Sequence, residues 1–260
     1  MWFEINTELM HSTFRIAGRE ALGTSFILGR PIPGTGRSAY VLVTAAHVLE
    51  GIQEDEAVLF LRVTNPDGSF KKLPHQLPIR LDGQPLWVKH ANADVAAMYV
   101  RLPHAASLRR IVSTELLASD EDLSLYEIHP GDRLACLGYP YGAEANEAGF
   151  PILRSGRIAS FPLTPTSIYP TFLFDFRVFG GNSGGPVYLA ETSRTYGKST
   201  HLGQTLQFVM GLVSQEQTLE EEVRSLTETR KVKHQLALAV VISAPLIAET
   251  IGLLPPPAYD

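Results

Sequence analysis

A single cysteine, Cys136, stands among 260 residues, which excludes an internal disulfide and any metal site built on paired thiolates. Such usage suits a reducing compartment, and a cytoplasmic location is the expectation. Long apolar runs are missing too. The longest, Gln235-Leu-Ala-Leu-Ala-Val-Val-Ile-Ser243, falls well short of the roughly 20 residues that a membrane helix needs. The opening stretch, Met1-Trp-Phe-Glu-Ile-Asn-Thr-Glu-Leu-Met10, carries no basic segment before an apolar one, so no secretory signal is expected. Nor is there a basic excess: 22 Lys plus Arg against 27 Asp plus Glu leave a formal charge of −5, the wrong sign for a phosphate-neutralising surface. No glycine loop is followed by Lys and Ser/Thr to cradle a phosphate. His11, His75, His90, His104, His129, His201 and His234 show no ligand spacing. The expectation is a protein without cofactor, metal, nucleic-acid partner or membrane.

What is present is an ordinary globular composition, 45% apolar and 19% charged, with 21 glycines and 18 prolines spread along the whole chain. Between them lie short β-branched or aromatic runs such as Tyr40-Val-Leu-Val-Thr44, Ala57-Val-Leu-Phe-Leu-Arg-Val63, Phe172-Leu-Phe-Asp-Phe-Arg-Val178 and Leu206-Gln-Phe-Val-Met-Gly-Leu-Val213. Short strands punctuated by turn residues predict an all-β sandwich or barrel. Two helical pieces are expected. One is a single turn over residues 45–50 ended by Gly51. The other is a terminal helix that Ser243 can cap, with Pro245 in its first turn, Leu246, Ile247 and Ile251 on one face, and Pro255-Pro-Pro257 to stop it. Residues 105–122 lack alternation and read as the crossing between two halves. Residues 215–234, with Glu220-Glu-Glu222 and Lys231-Val-Lys233, read as a solvated loop with some helix, or else a partner-binding surface. Cys136 lies in an apolar run and reads as a core residue.

The strongest chemical signal is Gly180-Gly-Asn-Ser-Gly-Gly-Pro-Val187. A serine hydroxyl becomes a nucleophile only when a base takes its proton and donors stabilise the oxyanion that forms. Glycines before Ser183 permit a tight turn whose amides converge, and Gly181 and Ser183 supply such a pair. Gly184 and Gly185 let the chain turn sharply into the next strand. Val41-Leu-Val-Thr-Ala-Ala-His-Val-Leu49 ends a strand with His47 on the first turn after it, a candidate base. A base needs a group that fixes its tautomer, and Asp94 opens the otherwise apolar run Asp94-Val-Ala-Ala-Met-Tyr-Val100.

The order His47, Asp94, Ser183, with Thr-Ala-Ala-His, Asp-Val-Ala and Gly-Asn-Ser-Gly-Gly-Pro around them, resembles the trypsin-like, chymotrypsin-fold serine proteases over about residues 21–251. The resemblance implies two antiparallel six-stranded β-barrels with a short C-terminal helix. It makes 1–260 one peptidase domain, with an N-terminal barrel over 10–115, a C-terminal barrel over 120–242 and a terminal helix over 243–254. It implies a serine endopeptidase acting through an acyl-enzyme, with His47, Asp94 and Ser183 catalytic and the amides of Gly181 and Ser183 as oxyanion hole. Asn182 before the serine and Asp175 eight residues ahead of it are similar to the bacterial trypsin-like and HtrA-type branch. Pancreatic-type enzymes carry an aspartate before the serine that receives a new N-terminal ammonium; Asn182 cannot, so activation by clipping is not expected. No PDZ domain is expected after the terminal helix.

For substrate recognition, Gly211-Leu-Val-Ser-Gln-Glu216 is similar to the family strand that pairs with the substrate backbone, so Ser214, Gln215 and Glu216 are expected at that edge. Arg177 and Val178 are expected at the pocket wall. Arg177 either receives an acidic side chain, or points to solvent, or pairs with Asp175 or Glu216; pairing with Glu216 leaves a small apolar pocket around Val178. The partner expected is a protein or peptide substrate, together with a protein that activates or restrains an enzyme lacking a zymogen switch, as in signalling or defence. The rival readings are a silent pseudo-protease that binds peptides or proteins, and an esterase using the same three residues.

Overall fold

The computed structural model describes residues 4–106, 108, 110–224 and 229–257, with side chains described outside 220–233. The first lobe holds β1 (Thr13–Ala17), β2 (Leu22–Ile32), β3 (Arg37–Thr44), β4 (Glu56–Thr64), β5 (Phe70–Pro78), the short pair β6 (Arg80–Leu81) and β7 (Gln84–Pro85), β8 (Val88–Lys89), β9 (Ala96–Tyr99) and β10 (Val112–Ser113). The second holds β11 (Arg133–Gly138), β12 (Ile152–Arg157), β13 (Thr171–Asp175), β14 (Pro186–Tyr196), β15 (Ser199–Arg224) and β16 (Thr229–Ser243). Among the described residues four α-helices accompany them, two more than expected: α1 (Ile5–Ser12), α2 (Ala46–Gly51), α3 (Asp120–Leu125) and α4 (Ala244–Gly252). The architecture is all-β and chymotrypsin-like.

The first sheet runs β5-β4-β1-β2-β3-β9-β8, with β10 added parallel to β2, and the second runs β12-β11-β14-β15-β16-β13. Hydrogen bonding leaves both paths open rather than closed into six-membered rings. In the second lobe one bridge, Ile158 to Phe174, brings the end strands together. Ala57, Leu59 and Leu61 of β4 alternate inward and are fully buried, while β3 is buried on both faces from Val41 to Thr44. Strand β2 is likewise buried on both faces from Gly23 to Gly29, Thr24 and Ser25 included. The chain passes between lobes at Leu117, which bridges to Val209, and Ser119 then starts α3 with a capping box closed by Asp122.

Two expectations need correction. Residues 215–224 and 229–234 form strand rather than loop, with 225–228 outside the described residues: β15 and β16 continue as a ribbon, paired from Thr218–Gln235 to Arg224–Thr229. Its backbone register sets Glu220 opposite Lys233 and Glu222 opposite Lys231. Ser243 does stand at the N-cap of α4, yet its side chain makes no capping bond. Pro245 occupies the second helical position and has no N–H to give. Among the described residues no helix is long and apolar enough to cross a membrane.

Candidate active site

Register explains how His47 and Asp94 meet. Strand β9 pairs with β3 so that Ala96 faces Thr44. Asp94, two residues ahead of Ala96, therefore lies beside the chain that leaves Thr44 and enters α2. There the Asp94 carboxylate takes two bonds from one residue: His47 N–H donates to Oδ1 at 2.9 Å, and His47 Nδ1 meets Oδ2 at 2.7 Å. A proton on Nδ1 leaves the Nε2 lone pair free to act as base. The Ser214 hydroxyl donates a short bond to the same Oδ2.

These contacts set the charges. The Asp94 hydrogen bond raises the His47 pKa above its ordinary value, against a smaller opposing effect of burial. Burial alone would raise the Asp94 carboxyl, but the bonds from the His47 side chain, Ser214 and the His47 amide hold it below the ordinary carboxylate value.

Ser183 reaches the same place from the other lobe, in the turn before β14. The turn is clamped on both sides: Gly184 N–H donates to Val213 O at 2.7 Å, Val213 N–H to Gly185 O at 2.9 Å, and Thr24 N–H of β2 to Ser183 O at 2.9 Å. Glycine is obligatory at its centre. A Cβ on Gly184, where φ is +85°, would lie 2.1 Å from Thr24 O and 2.2 Å from Thr44 Oγ1. Gly181 has φ +93°, and among the described residues neither its amide nor that of Ser183 donates to a backbone carbonyl. The Ser183 hydroxyl donates to Ser214 O at 2.8 Å.

One cleft of about 640 Å³ is lined by His47, Asp94, Ser183, Ser214, Gln215 and Glu216, and Val178, Val240 and Ile242 add an apolar wall. Arg177 is not part of it. Burial alternates from Phe176 to Val178, so Val178 faces in while Arg177 is exposed, its guanidinium 5.3 Å from the Phe179 ring centre and its carbonyl accepting from Arg154. The acid-receiving role considered for Arg177 therefore has no geometric basis, and its pairing with Glu216 is absent from the described ion pairs. Glu216 Oε1 is buried without a hydrogen-bond partner. Among the described residues no cluster of three or more His, Cys, Asp or Glu could hold a metal. Cys136 is buried in the core, and burial pushes its thiol up to about 12.

Sequence reading did not foresee three further participants. Ser214, expected only at a substrate edge, donates its hydroxyl to Asp94 and accepts the Ser183 hydroxyl at its carbonyl. Thr24 Oγ1 donates to Gly181 O at 2.7 Å, and Tyr141 N–H donates to Gly180 O at 2.6 Å. None carries a local motif, because each acts on a residue far away in the chain.

Residues 23–197 match the model of the trypsin-like peptidase domain. No curated protein matches the chain. Among solved structures, an inactive-form serine-to-alanine mutant of Rv3671c from M. tuberculosis H37Rv is 18% identical, with TM-score 0.50, covering 95% of this chain and 88% of that one. The inactive form of the Rv3671c protease is 16% identical, with TM-score 0.48 and coverage of 95% and 91%. The thermostable serine protease AL20 from an extremophilic microorganism is 11% identical, with TM-score 0.46 and coverage of 94% and 95%.

Proposed function

The chain belongs to the family of trypsin-like peptidase domains, and from that premise we propose that it is a serine endopeptidase with Ser183 as nucleophile, His47 as general base and Asp94 as the group that orients it. The observation that carries the reading is the convergence of Asp94 on His47 Nδ1 in a cleft that also contains Ser183. The Ser183 hydroxyl turns from the Ser214 carbonyl towards His47, a rotation between staggered rotamers. Its oxygen attacks the scissile carbonyl as the proton passes to Nε2. Asp94 stabilises the imidazolium, and the amides of Gly181 and Ser183 take the oxyanion. Collapse of the tetrahedral adduct breaks the C–N bond, His47 returns the proton to the leaving amine, and water releases the acyl group by the same steps.

The peptide substrate pairs with the β15 edge at Ser214, Gln215 and Glu216 as an added strand. The side chain before the scissile bond lies along Val178, Val240 and Ile242 and meets Glu216 rather than Arg177. A cleft that binds peptide without turnover is the second reading, favoured by the bond that holds the Ser183 hydroxyl on Ser214.

A serine-reactive fluorophosphonate separates the two. The protein is expected to be labelled and to hydrolyse peptides, and Ser183→Ala to lose both, with turnover down about a million-fold as in subtilisin. A folded parent protein that takes no label supports the binding module. Matched amide and ester substrates tell a peptidase from an esterase.

A further inference from the structure

Arg62 is the largest side chain that the protein buries completely, and it carries no part of the chemistry above. It projects from β4, and its bonds go to carbonyl and phenol oxygens rather than to a carboxylate. Nη2 donates to Met10 O, His11 O and Thr13 O at 3.0, 2.9 and 2.8 Å, and Nη1 to Gly149 O at 2.8 Å and the Tyr139 hydroxyl at 3.3 Å. Phe14 and Phe150 each lie 4.5 Å from the guanidinium carbon. Burying a charge this deeply is costly unless its hydrogen bonds are met, so the arrangement calls for a purpose.

The two oxygens on Nη1 belong to opposite ends of one segment, 139–149, and the Tyr139 hydroxyl itself reaches Gly149 O at 3.0 Å and Thr13 O at 3.1 Å. Midway, Glu144 pairs with Arg15 and Lys72. The segment's inner end then touches the nucleophile turn twice. Tyr139 N–H donates to Thr24 Oγ1 at 3.2 Å, and that hydroxyl donates to Gly181 O. Tyr141, at φ +51°, gives its N–H to Gly180 O. In a planar trans peptide the carbonyl and the amide of one unit point in opposite directions. A Gly180 carbonyl fixed on Tyr141 therefore aims the Gly181 N–H away from Tyr141, as an oxyanion donor requires. Asn182, neutral and buried, asks for no ammonium to order this turn.

We propose that Arg62 is a positioning residue for the oxyanion hole: by clamping both ends of segment 139–149 it keeps Tyr141 on Gly180 and the Gly181 amide on the reacting carbonyl. This rests on the serine-peptidase reading.

The test compares the parent protein with Arg62→Met and with the milder Tyr139→Phe, each checked for folding by circular dichroism. Readouts are kcat, KM and the affinity of a peptide aldehyde, whose adduct places an oxyanion in the hole. A peptide's affinity in the Ser183→Ala background reports ground-state binding. Arg62→Met is expected to lower kcat and aldehyde affinity about a hundredfold, the scale of a lost oxyanion donor, with KM, peptide affinity and the pH midpoint of activity unchanged. Tyr139→Phe is expected to move the same two quantities by about tenfold, and carries the test if Arg62→Met does not fold. A folded variant with kcat and aldehyde affinity within about threefold of the parent overturns the proposal, as does an equal loss of peptide affinity. A parent protein that neither labels nor hydrolyses fails earlier, at the peptidase reading itself.

Discussion

The proposed base illustrates how few residues decide the chemistry. Asp94 holds His47 charged to higher pH than an ordinary histidine, and the charged ring cannot take the Ser183 proton. Activity is therefore lost as pH falls through the His47 pKa and recovered above it. The rise in kcat/KM with pH is expected to have its midpoint above 6.5, the ordinary histidine value. Asp94→Asn removes the cause of the shift, so the midpoint should move down while turnover falls by about ten-thousandfold, as in chymotrypsin-type enzymes. A midpoint that stays in place in the mutant would show that His47 is not the titrating base. The second residue-scale expectation concerns selectivity. Glu216→Gln should lower kcat/KM for a lysine before the scissile bond about tenfold relative to leucine, the scale of a hydrogen bond to a charged group. Arg177→Ala should leave that ratio unchanged. His47, Asp94 and Ser183 stand out in the sequence because each sits in a local motif, and the fold brings all three to one cleft. Ser214 and Asp94 are 120 positions apart, and only the folded chain brings the hydroxyl to the carboxylate.

Elements were legible where one periodicity dominates. Strands β3 and β9 announce themselves as apolar runs, and their pairing alone brings Asp94 to His47. The ribbon of β15 and β16 was misread because its charged runs show no apolar alternation in the sequence, and the register that sets Glu220 and Glu222 opposite Lys233 and Lys231 is invisible until a pairing is assumed. Helix α3 was hidden within an irregular crossing for a related reason. Six residues are too few to show a period, and the helix depends on its cap instead. The Ser119 hydroxyl accepts from Asp122 N–H at 3.1 Å, while Asp122 Oδ2 accepts from Ser119 N–H at 2.9 Å. Ser119→Ala should therefore destabilise the protein by about 1 kcal/mol, seen as a fall in Tm of about 2–4 °C. Peptide hydrolysis should be unchanged, because no residue of α3 lines the cleft. A larger loss of activity than of stability would place α3 in the working of the site.

At the scale of the whole molecule, the site exists because two lobes approach closely at one glycine. Thr24 O and Thr44 Oγ1 of the first lobe stand where a Cβ of Gly184 in the second would be, and Thr44 Oγ1 bonds Thr24 O at 2.7 Å to make that wall rigid. Helix α4 adds a second tie, since Arg30 of β2 donates to Ile251 O at 3.1 Å. The inter-lobe contact can be separated from backbone strain by comparing two glycines of like conformation. Gly36 has φ +66° with nothing within 4 Å of a built Cβ, whereas Gly184 has φ +85° and three close atoms. Gly36→Ala should cost only the left-handed conformation, about 1–2 kcal/mol, and leave activity intact. Gly184→Ala adds a backbone clash that no side-chain rotation relieves, about 1–3 kcal/mol more in overpacking. Relief requires the lobes to part, which carries Ser183 away from His47. Urea unfolding should rank the two variants in that order, and fluorophosphonate labelling should collapse only in Gly184→Ala. Equal stabilities with equal labelling would mean that the nucleophile turn is held by its own lobe and that the close approach at Gly184 is incidental to catalysis.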